Sequence, residues 1–305
     1  MIDKNDILYR FKRSYHISYN QDYFCCVGAG VNLYHYKNGE FVANFKGLQH
    51  PDCSGFTSDQ NLIVRTTVGK YHVYNLASME YIKKILPPKK DTHVSEDFQI
   101  TSDDKYIIDF FYVYPTAKLV VVEIETGTHT FFDLGYARHG LVLQTETESK
   151  YYVVTICAEE LHAPDVSILE FYEFTYTSGK FNLKKLFSQS QGSRVMVSEI
   201  DYRANKFAFA DYRNKIRLFD VQTGSQDEFE YEEYDFLNGI LYDMKLSKNG
   251  RYIALATSDN IYVFDLETKE CIKNYEVDYG CFVDFIDDDT KLLIGTWEKG
   301  YCVAL

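Results

Sequence analysis

Four aspartates crowd the segment DFIDDDTK at 284–291: Asp284, Asp287, Asp288 and Asp289. Clustered carboxylates can hold calcium, but that chemistry wants ligands at alternate positions, a glycine at the sharp bend and a closing glutamate. These are missing here. Aspartate also starts turns through its own side chain, so the segment reads as a hairpin turn. Cys25 and Cys26 could cycle as a redox pair, yet adjacent cysteines reach disulfide geometry only with strain. VGAGVN at 27–32 has two glycines, but no helix follows to complete a dinucleotide cradle. It reads as a tight turn between strands. The chain carries no Gly-x-Ser-x-Gly, no His-Glu-x-x-His and no phosphate loop. No catalytic residue, metal site or cofactor is assigned.

The side chains that could grip a partner are aromatic, cationic and imidazole groups in loops. Trp297, the chain's single Trp, lies in GTWEKGY, and Trp and Arg are favoured interface anchors. The repeat set out below places it on one rim with His50, Arg138, His139, His162, Arg194, Tyr212 and Arg213, next to Asp97. These form the candidate partner-binding set; for Trp297 the competing reading is packing between repeats. CAEELHAPDVS at 157–167 is longer than its counterparts, and long loops on a rigid scaffold often carry function. DEFEYEEYD at 227–235 holds six carboxylates in nine residues, interleaved with Phe229, Tyr231 and Tyr234. Such a strip either guards an edge strand by charge or docks a basic partner.

The elements that must position these residues follow from composition and period. The chain has 305 residues, 46% hydrophobic, with 27 Tyr and 22 Phe, types that suit half-buried pleated surfaces. A net charge of −13 repels phosphate backbones and anionic headgroups, so neither nucleic acid nor membrane is expected as a partner. Lys83, Lys84, Lys89 and Lys90, around Pro87 and Pro88, read as a solvated loop. No run approaches the roughly 18 apolar residues of a membrane span, and the opening MIDKNDILYRFKRSY lacks the apolar core of a signal peptide. Cys25, Cys26, Cys53, Cys157, Cys271, Cys281 and Cys302 form no Cys-x-x-Cys. A cytoplasmic protein with reduced thiols is expected.

KIRLFDVQTG at 215–224 returns as NIYVFDLETK at 260–269. Alignment on Phe219 and Phe264 finds further copies anchored at Tyr34, Tyr74, Val122, Tyr172 and Ala304. Successive anchors lie 40, 48, 50, 47, 45 and 40 residues apart, averaging 45, the period of a four-stranded propeller blade. Upstream of each anchor stands a hairpin signal, as in TSDQN, TSDDK and SKNGR. A nearly continuous apolar strand follows it, as in YFCCVG, YIALAT and LLIGT. No long 3.6-residue period appears, so helix is minor. The expected fold is all-β: one domain, 1–305, forming a seven-bladed β-propeller of four-stranded antiparallel blades. The blades span roughly 14–46, 47–88, 93–134, 139–187, 194–232, 239–276 and 279–305. The last holds only three strands, so ILYRFK at 7–12 is expected to pair into it and close the ring.

These motifs resemble the WD-repeat family of β-propellers. Phe219-Asp220 and Phe264-Asp265 stand where the family has Trp-Asp, SKNGRYIALATSDN at 247–260 matches its turn, second strand and Asp-bearing turn, and FKGLQH at 45–50 is a loosened Gly-His element. No repeat has Trp at the anchor, and most lack the family's His. The Phe-Arg-Arg-Gly signature of phosphoinositide-binding propellers is absent, since Gly224 is followed by SQDEFEYEEYD. The resemblance implies a non-catalytic scaffold that binds a protein or peptide across the rim and channel mouth, as a monomer or weak homodimer. The alternatives are a lactonase-like or hydrolase-like propeller enzyme with its site at the channel mouth, and a homo-oligomeric structural protein.

Overall fold

A computed structural model describes residues 2–88, 93–94, 97–113, 116–137, 139–158, 167–177, 179–191, 200–210, 215–221, 223–230 and 241–305. Every regular element among them is a β-strand. Strand β1 (Ile7–Lys12) comes first. The first blade is β2 (Ser14–Tyr19), β3 (Tyr23–Gly28), β4 (Gly30–His35) and β5 (Phe41–Phe45). The second is β6 (Pro51–Phe56), β7 (Asn61–Thr66), β8 (Tyr71–Asn75) and β9 (Glu80–Ile85). In the third, β10 (His93–Val94) and β11 (Gln99–Ile100) both pair β12 (Tyr106–Val113), followed by β13 (Thr116–Glu123) and β14 (His129–Asp133). The fourth is β15 (His139–Gln144), β16 (Lys150–Ala158), β17 (Ser167–Thr177) and β18 (Lys180–Gln191).

The fifth blade is β19 (Ile200–Arg203), β20 (Lys206–Ala210), β21 (Lys215–Asp220) and β22 (Gln226–Glu230). The sixth is β23 (Leu241–Leu246), β24 (Tyr252–Thr257), β25 (Asn260–Asp265) and β26 (Cys271–Glu276). The seventh is β27 (Gly280–Ile286), β28 (Lys291–Thr296) and β29 (Lys299–Ala304), with β1 as its fourth strand. The fold is a seven-bladed β-propeller closed by its N-terminal strand. Its residues group into two compact units, Met1–Phe45 with Ser198–Leu305, and Lys46–Val197.

Side chains explain the turns. In blades two, three and six a hydroxyl closes the first hairpin: Thr57 Oγ1 accepts from Asn61 N at 2.9 Å, Thr101 Oγ1 from Tyr106 N at 3.0 Å and Ser247 Oγ from Tyr252 N at 2.8 Å. After the third strand the acid of the repeated Phe-Asp takes over. Asp220 Oδ1 accepts from Thr223 N at 2.7 Å, and Asp265 Oδ1 from Glu267 N at 2.9 Å. In five blades the residue five past the anchor then turns left-handed: Gly39, Met79, Gly127, Gly224 and Lys269 have φ of 69°, 58°, 73°, 70° and 62°, whereas in the fourth blade the left-handed residue is Gly179, seven past Tyr172. KIRLFDVQTG is thus a strand and its turn. Phe264 is buried against the neighbouring strands, and Phe219 is half-buried.

The second strands are mostly apolar because both their faces are covered. Phe24–Val27, Leu62–Val64, Ile253–Ala256 and Leu292–Ile294 are fully buried. Each such large side chain contributes roughly 1.5–3 kcal/mol. In the first unit, Met244, Leu255 and Phe264 pack blade six on Ala208 and Ile216 of blade five, while Ala254 and Val263 pack it on Phe285 and Leu292 of blade seven. In the second unit, Ile63 and Val73 meet Ile107 and Val120, and Phe110 and Leu119 meet Val142 and Tyr151. One polar device is buried here: Arg65, fully buried, lies 2.6 Å from Asp109 and 2.6 Å from Asp52, and Tyr71 Oη donates to Asp109 at 2.5 Å. It ties blade two to blade three.

Closure rests on a knob and a hole. β1 runs antiparallel to β29 with Phe11 opposite Gly300 and Arg10 opposite Tyr301. The Phe11 ring fills the place that a Cβ on residue 300 would need. The ring is buried and meets Phe24 edge-on at 5.0 Å, joining blade seven to blade one. Past the strand, Ala304 N donates to Asp6 O at 2.9 Å.

Phe11→Ala is expected to cost roughly 3–5 kcal/mol. Gly300→Ala, an overpacking change, is expected to cost roughly 1–3 kcal/mol. The double variant should lose less than the two added together, because the smaller side chain at 11 leaves room at 300. Urea unfolding of the four chains measures this, and strict additivity would refute the contact. The Asp265 turn makes a second prediction. Burial opposes its charge, but the Glu267 and Thr268 amides and the Arg251 guanidinium hold its carboxyl below the ordinary value. Its contribution is therefore present above the ordinary carboxylate range and is lost as pH falls through the lowered value. Asp265→Asn should flatten the acid limb of the stability–pH curve, read from urea midpoints; coincident limbs would refute it.

Candidate functional site

In the first unit, the first strands of four blades lie side by side in the order β19, β23, β27, β2. In a propeller these strands line the channel. Their polar side chains interlock. Asp201 Oδ2 accepts from Leu246 N at 2.7 Å, and Asp243 Oδ2 accepts from Val283 N at 3.1 Å. Each carboxylate thus takes a backbone amide from the first strand of the following blade. Arg203 Nη2 reaches past β23 to Asp284 Oδ1 at 2.8 Å, where Tyr19 Oη donates to the other oxygen at 3.0 Å. Lys245 sits 3.3 Å from Asp243.

Burial pushes the Asp284 carboxyl up, against the pull of Arg203, Lys245 and the Tyr19 hydroxyl. Burial also opposes the Arg203 charge, but Asp284 and Asp201 outweigh it and hold the guanidinium firmly protonated. The Tyr19 hydroxyl is pushed up by burial and by Asp284, so it stays a donor. The network resists strand sliding, and its cations and anions answer one another. Among the described residues no three His, Cys, Asp or Glu side chains gather in metal-holding geometry.

The second feature is a patch built from turns. Thr296 Oγ1 donates to Lys299 O at 2.7 Å and accepts from Lys299 N at 3.0 Å, locking a two-residue turn over Trp297 and Glu298. Thr257 and Asn260 lock the matching turn of blade six at 3.0 and 3.1 Å. Between the two turns runs Tyr279, held in the left-handed region at φ 54°. Its N donates to Ser258 O at 2.7 Å, and its O accepts from Trp297 N at 3.1 Å. Trp297 is 60% exposed and Tyr279 49%, with ring centroids 6.4 Å apart and nearly edge-on. Cys281 Sγ donates to Tyr279 O at 3.2 Å, and burial, then Asp243, pushes its thiol up to about 12. It is an inert filler beneath the patch. Tyr242 is half-buried close by, its hydroxyl raised by burial and then by Tyr279 and Cys281.

Of the residues assigned from sequence, Trp297 thus stands in an exposed turn, not packed between blades. His50 is exposed at φ 51°, its carbonyl taking Thr67 N at 3.0 Å. His139 opens β15, exposed and opposite Ile156, and Asp97 is half-buried. His50, His139 and Asp97 belong to the unit Lys46–Val197, and Trp297 to the other. Arg138, His162, Arg194, Tyr212 and Arg213 lie outside the described residues, as does most of 157–167. Of the acidic strip, 227–230 falls in the outer strand β22 and 231–235 lies outside the described residues. Asp287 takes a hydroxyl from Tyr36 at 2.9 Å, and Asp289 takes Lys248 N at 2.8 Å, so these acids tie turns together. No disulfide joins Cys25 to Cys26, which are buried side by side.

Sequence reasoning missed Tyr279 and the Arg203–Asp284–Tyr19 network. Tyr279 is one Tyr among 27, and only its left-handed backbone marks it. No protein-family model matches this chain, and no curated protein matches it. The class defined by its strands is the seven-bladed β-propeller.

Removing one member of the Arg203–Asp284 pair takes the nearest opposite charge from the other, with Asp201 left to answer Arg203, or Lys245 and the Tyr19 hydroxyl left to answer the buried Asp284. Asp284→Ala is expected to cost roughly 3 kcal/mol or more, and the double change with Arg203→Met to recover part of that loss. Chemical denaturation of the three variants supplies the coupling; additive losses would mean that the pair is not coupled.

Proposed function

We propose that this chain is a non-catalytic binding scaffold of WD-repeat-like type that grips a protein or peptide across the rim bearing Trp297. The observation that carries the reading is the exposed Trp297–Tyr279 pair, 60% and 49% accessible, with Trp297 on a turn locked by Thr296 and Tyr279 beside it. Large aromatic side chains held rigidly at a surface lose little entropy on binding and are the commonest hot spots. Nothing in the packing of the blade requires Trp there, since blade six closes the matching turn with Ser258. A reducing, cytoplasmic setting suits seven cysteines with no disulfide among them.

The test places a photo-cross-linking amino acid at 297 and, in a separate chain, at Phe131, which is 44% exposed on β14. In native lysate the 297 probe should yield a discrete adduct that the 131 probe does not. Tyr279→Ala should remove that adduct without shifting the melting temperature. Equal labelling from both positions, or an adduct indifferent to Tyr279, would sink the proposal.

A further inference from the structure

The closing strand does more than pair. Where β1 ends, a groove of about 710 Å³ opens between it, β5 and the turn leading into β29. That lies within the range of about 300–1,000 Å³ typical of ligand sites. Four cations line it: Arg10, Lys12, Arg13 and Lys299, against one carboxylate, Glu298. Arg10, Lys12 and Arg13 are exposed. Among the described residues no ion pair engages Arg10, Arg13 or Lys299. In a chain of net charge −13, cations so grouped with so little local compensation stand out. Like charges repel, and the arrangement is relieved by an anionic partner.

The apolar side of the groove says what kind of anion. Tyr34 and Phe41 lie against it with ring centroids 5.7 Å apart, edge to face. Phe41 is 54% exposed, and the Lys12 ammonium rides 5.4 Å from its centroid while reaching Asn32 Oδ1 at 3.3 Å. A lone phosphate would use the cations and waste the aromatic wall. A peptide carrying both carboxylates and an apolar side chain would use both. Edge strands also carry Lys and Arg merely to repel other edges. Here, however, the cations come from three places: β1, the link to β2, and β29. Arg10 and Lys12 do alternate along the edge strand β1, but Arg13 and Lys299 join them from outside it to line the same groove.

We infer that this groove is a docking site for an extended acidic peptide segment of a partner protein, with an aromatic or aliphatic side chain against Phe41 and carboxylates on Arg10, Arg13 and Lys299. The inference does not depend on the Trp297 rim. The probe is a fluorescein-labelled peptide of Glu, Asp and one central Phe, followed by anisotropy at low ionic strength. Wild-type chain should bind it. Arg10→Ala with Arg13→Ala, and separately Lys299→Ala with Phe41→Ala, should each weaken binding about tenfold. Lys105→Ala with Lys248→Ala, two exposed cations elsewhere, should leave it unchanged. Melting curves confirm that each variant is folded. The inference is overturned by any of four results: no binding; binding indifferent to both groove variants; an equally charged peptide without Phe binding as well; or single-stranded DNA binding better. Sedimentation of the chain alone adds a fifth: salt-sensitive self-association lost in the groove variants would assign the groove to a second copy.

Discussion

A strand with one open side has amides and carbonyls that nothing answers, and this chain's last repeat is one strand short. The pairing of β1 with β29 supplies what is missing, and much else hangs on it. The register puts Phe11 over Gly300, where no other residue leaves room for a ring. That ring then becomes part of the apolar seam with Phe24, Cys26, Tyr34 and Leu293, which joins the seventh blade to the first. The two ends of the sequence thereby hold one another: Ala304 donates to Asp6, and Lys273 lies 3.5 Å from the same residue. A one-residue slip would turn Phe11 outward and set the charges of Arg10 and Lys12 against the seam. The alternation of β1, with Tyr9 and Phe11 facing in and Leu8, Arg10 and Lys12 facing out, specifies one register only.

Within the blades, apolar burial supplies the bulk of the stability, and several of the polar groups that remain inside link one blade to the next. In the first unit, Asp201 of blade five and Asp243 of blade six reach amides of the following blade, which fixes the height of blade six on five and of seven on six. In the second, Arg65 does comparable work in the interior by bridging Asp52 and Asp109. Such buried ions gain little net stability over a well-packed apolar replacement. Their geometric demand is strict, however. A guanidinium held at 2.6 Å on two sides, with Tyr71 donating to the same Asp109, tolerates no sliding of blade two on blade three.

The architecture was legible in the sequence because the repeat records backbone geometry. Phe-Asp at 219 and 264 signalled a strand end and an Asp-started turn, and both are there. The left-handed residue five places on was legible where it is glycine, at 39, 127 and 224. Met79 and Lys269 take the same conformation with no glycine to announce it, because the surrounding hydrogen bonds decide the turn. The third blade's first strand, split into β10 and β11, left no clear signal. The candidate site was half legible. Trp297 stood out by being single. Tyr279 did not, because its place depends on bonds to two turns that are distant in sequence. The pairing of Arg203 with Asp284 skips a whole blade, and no local pattern encodes such a reach. The cations of the groove were individually visible, but only the β1–β29 register brings Lys299 beside them.

Holding the backbone and presenting a surface fall to different residues in this chain. Backbone geometry is enforced by hydroxyls, turn acids and left-handed positions that recur from blade to blade, and it asks almost nothing of the side chains at the turn tips. Thr257 and Thr296 lock the same turn, yet one presents Ser258 and the other Trp297. Variation at a tip is therefore nearly free of structural cost, and a large exposed aromatic residue there needs some reason other than folding. The same holds for charge. A net charge of −13 repels other anions on average, and against that background the cations grouped around the end of β1 are set apart from the rest of the chain. The rim aromatics and the groove cations both stand on elements whose positions the closure fixes. The blades hold them still, and both proposals draw on residues that the repeat leaves unconstrained.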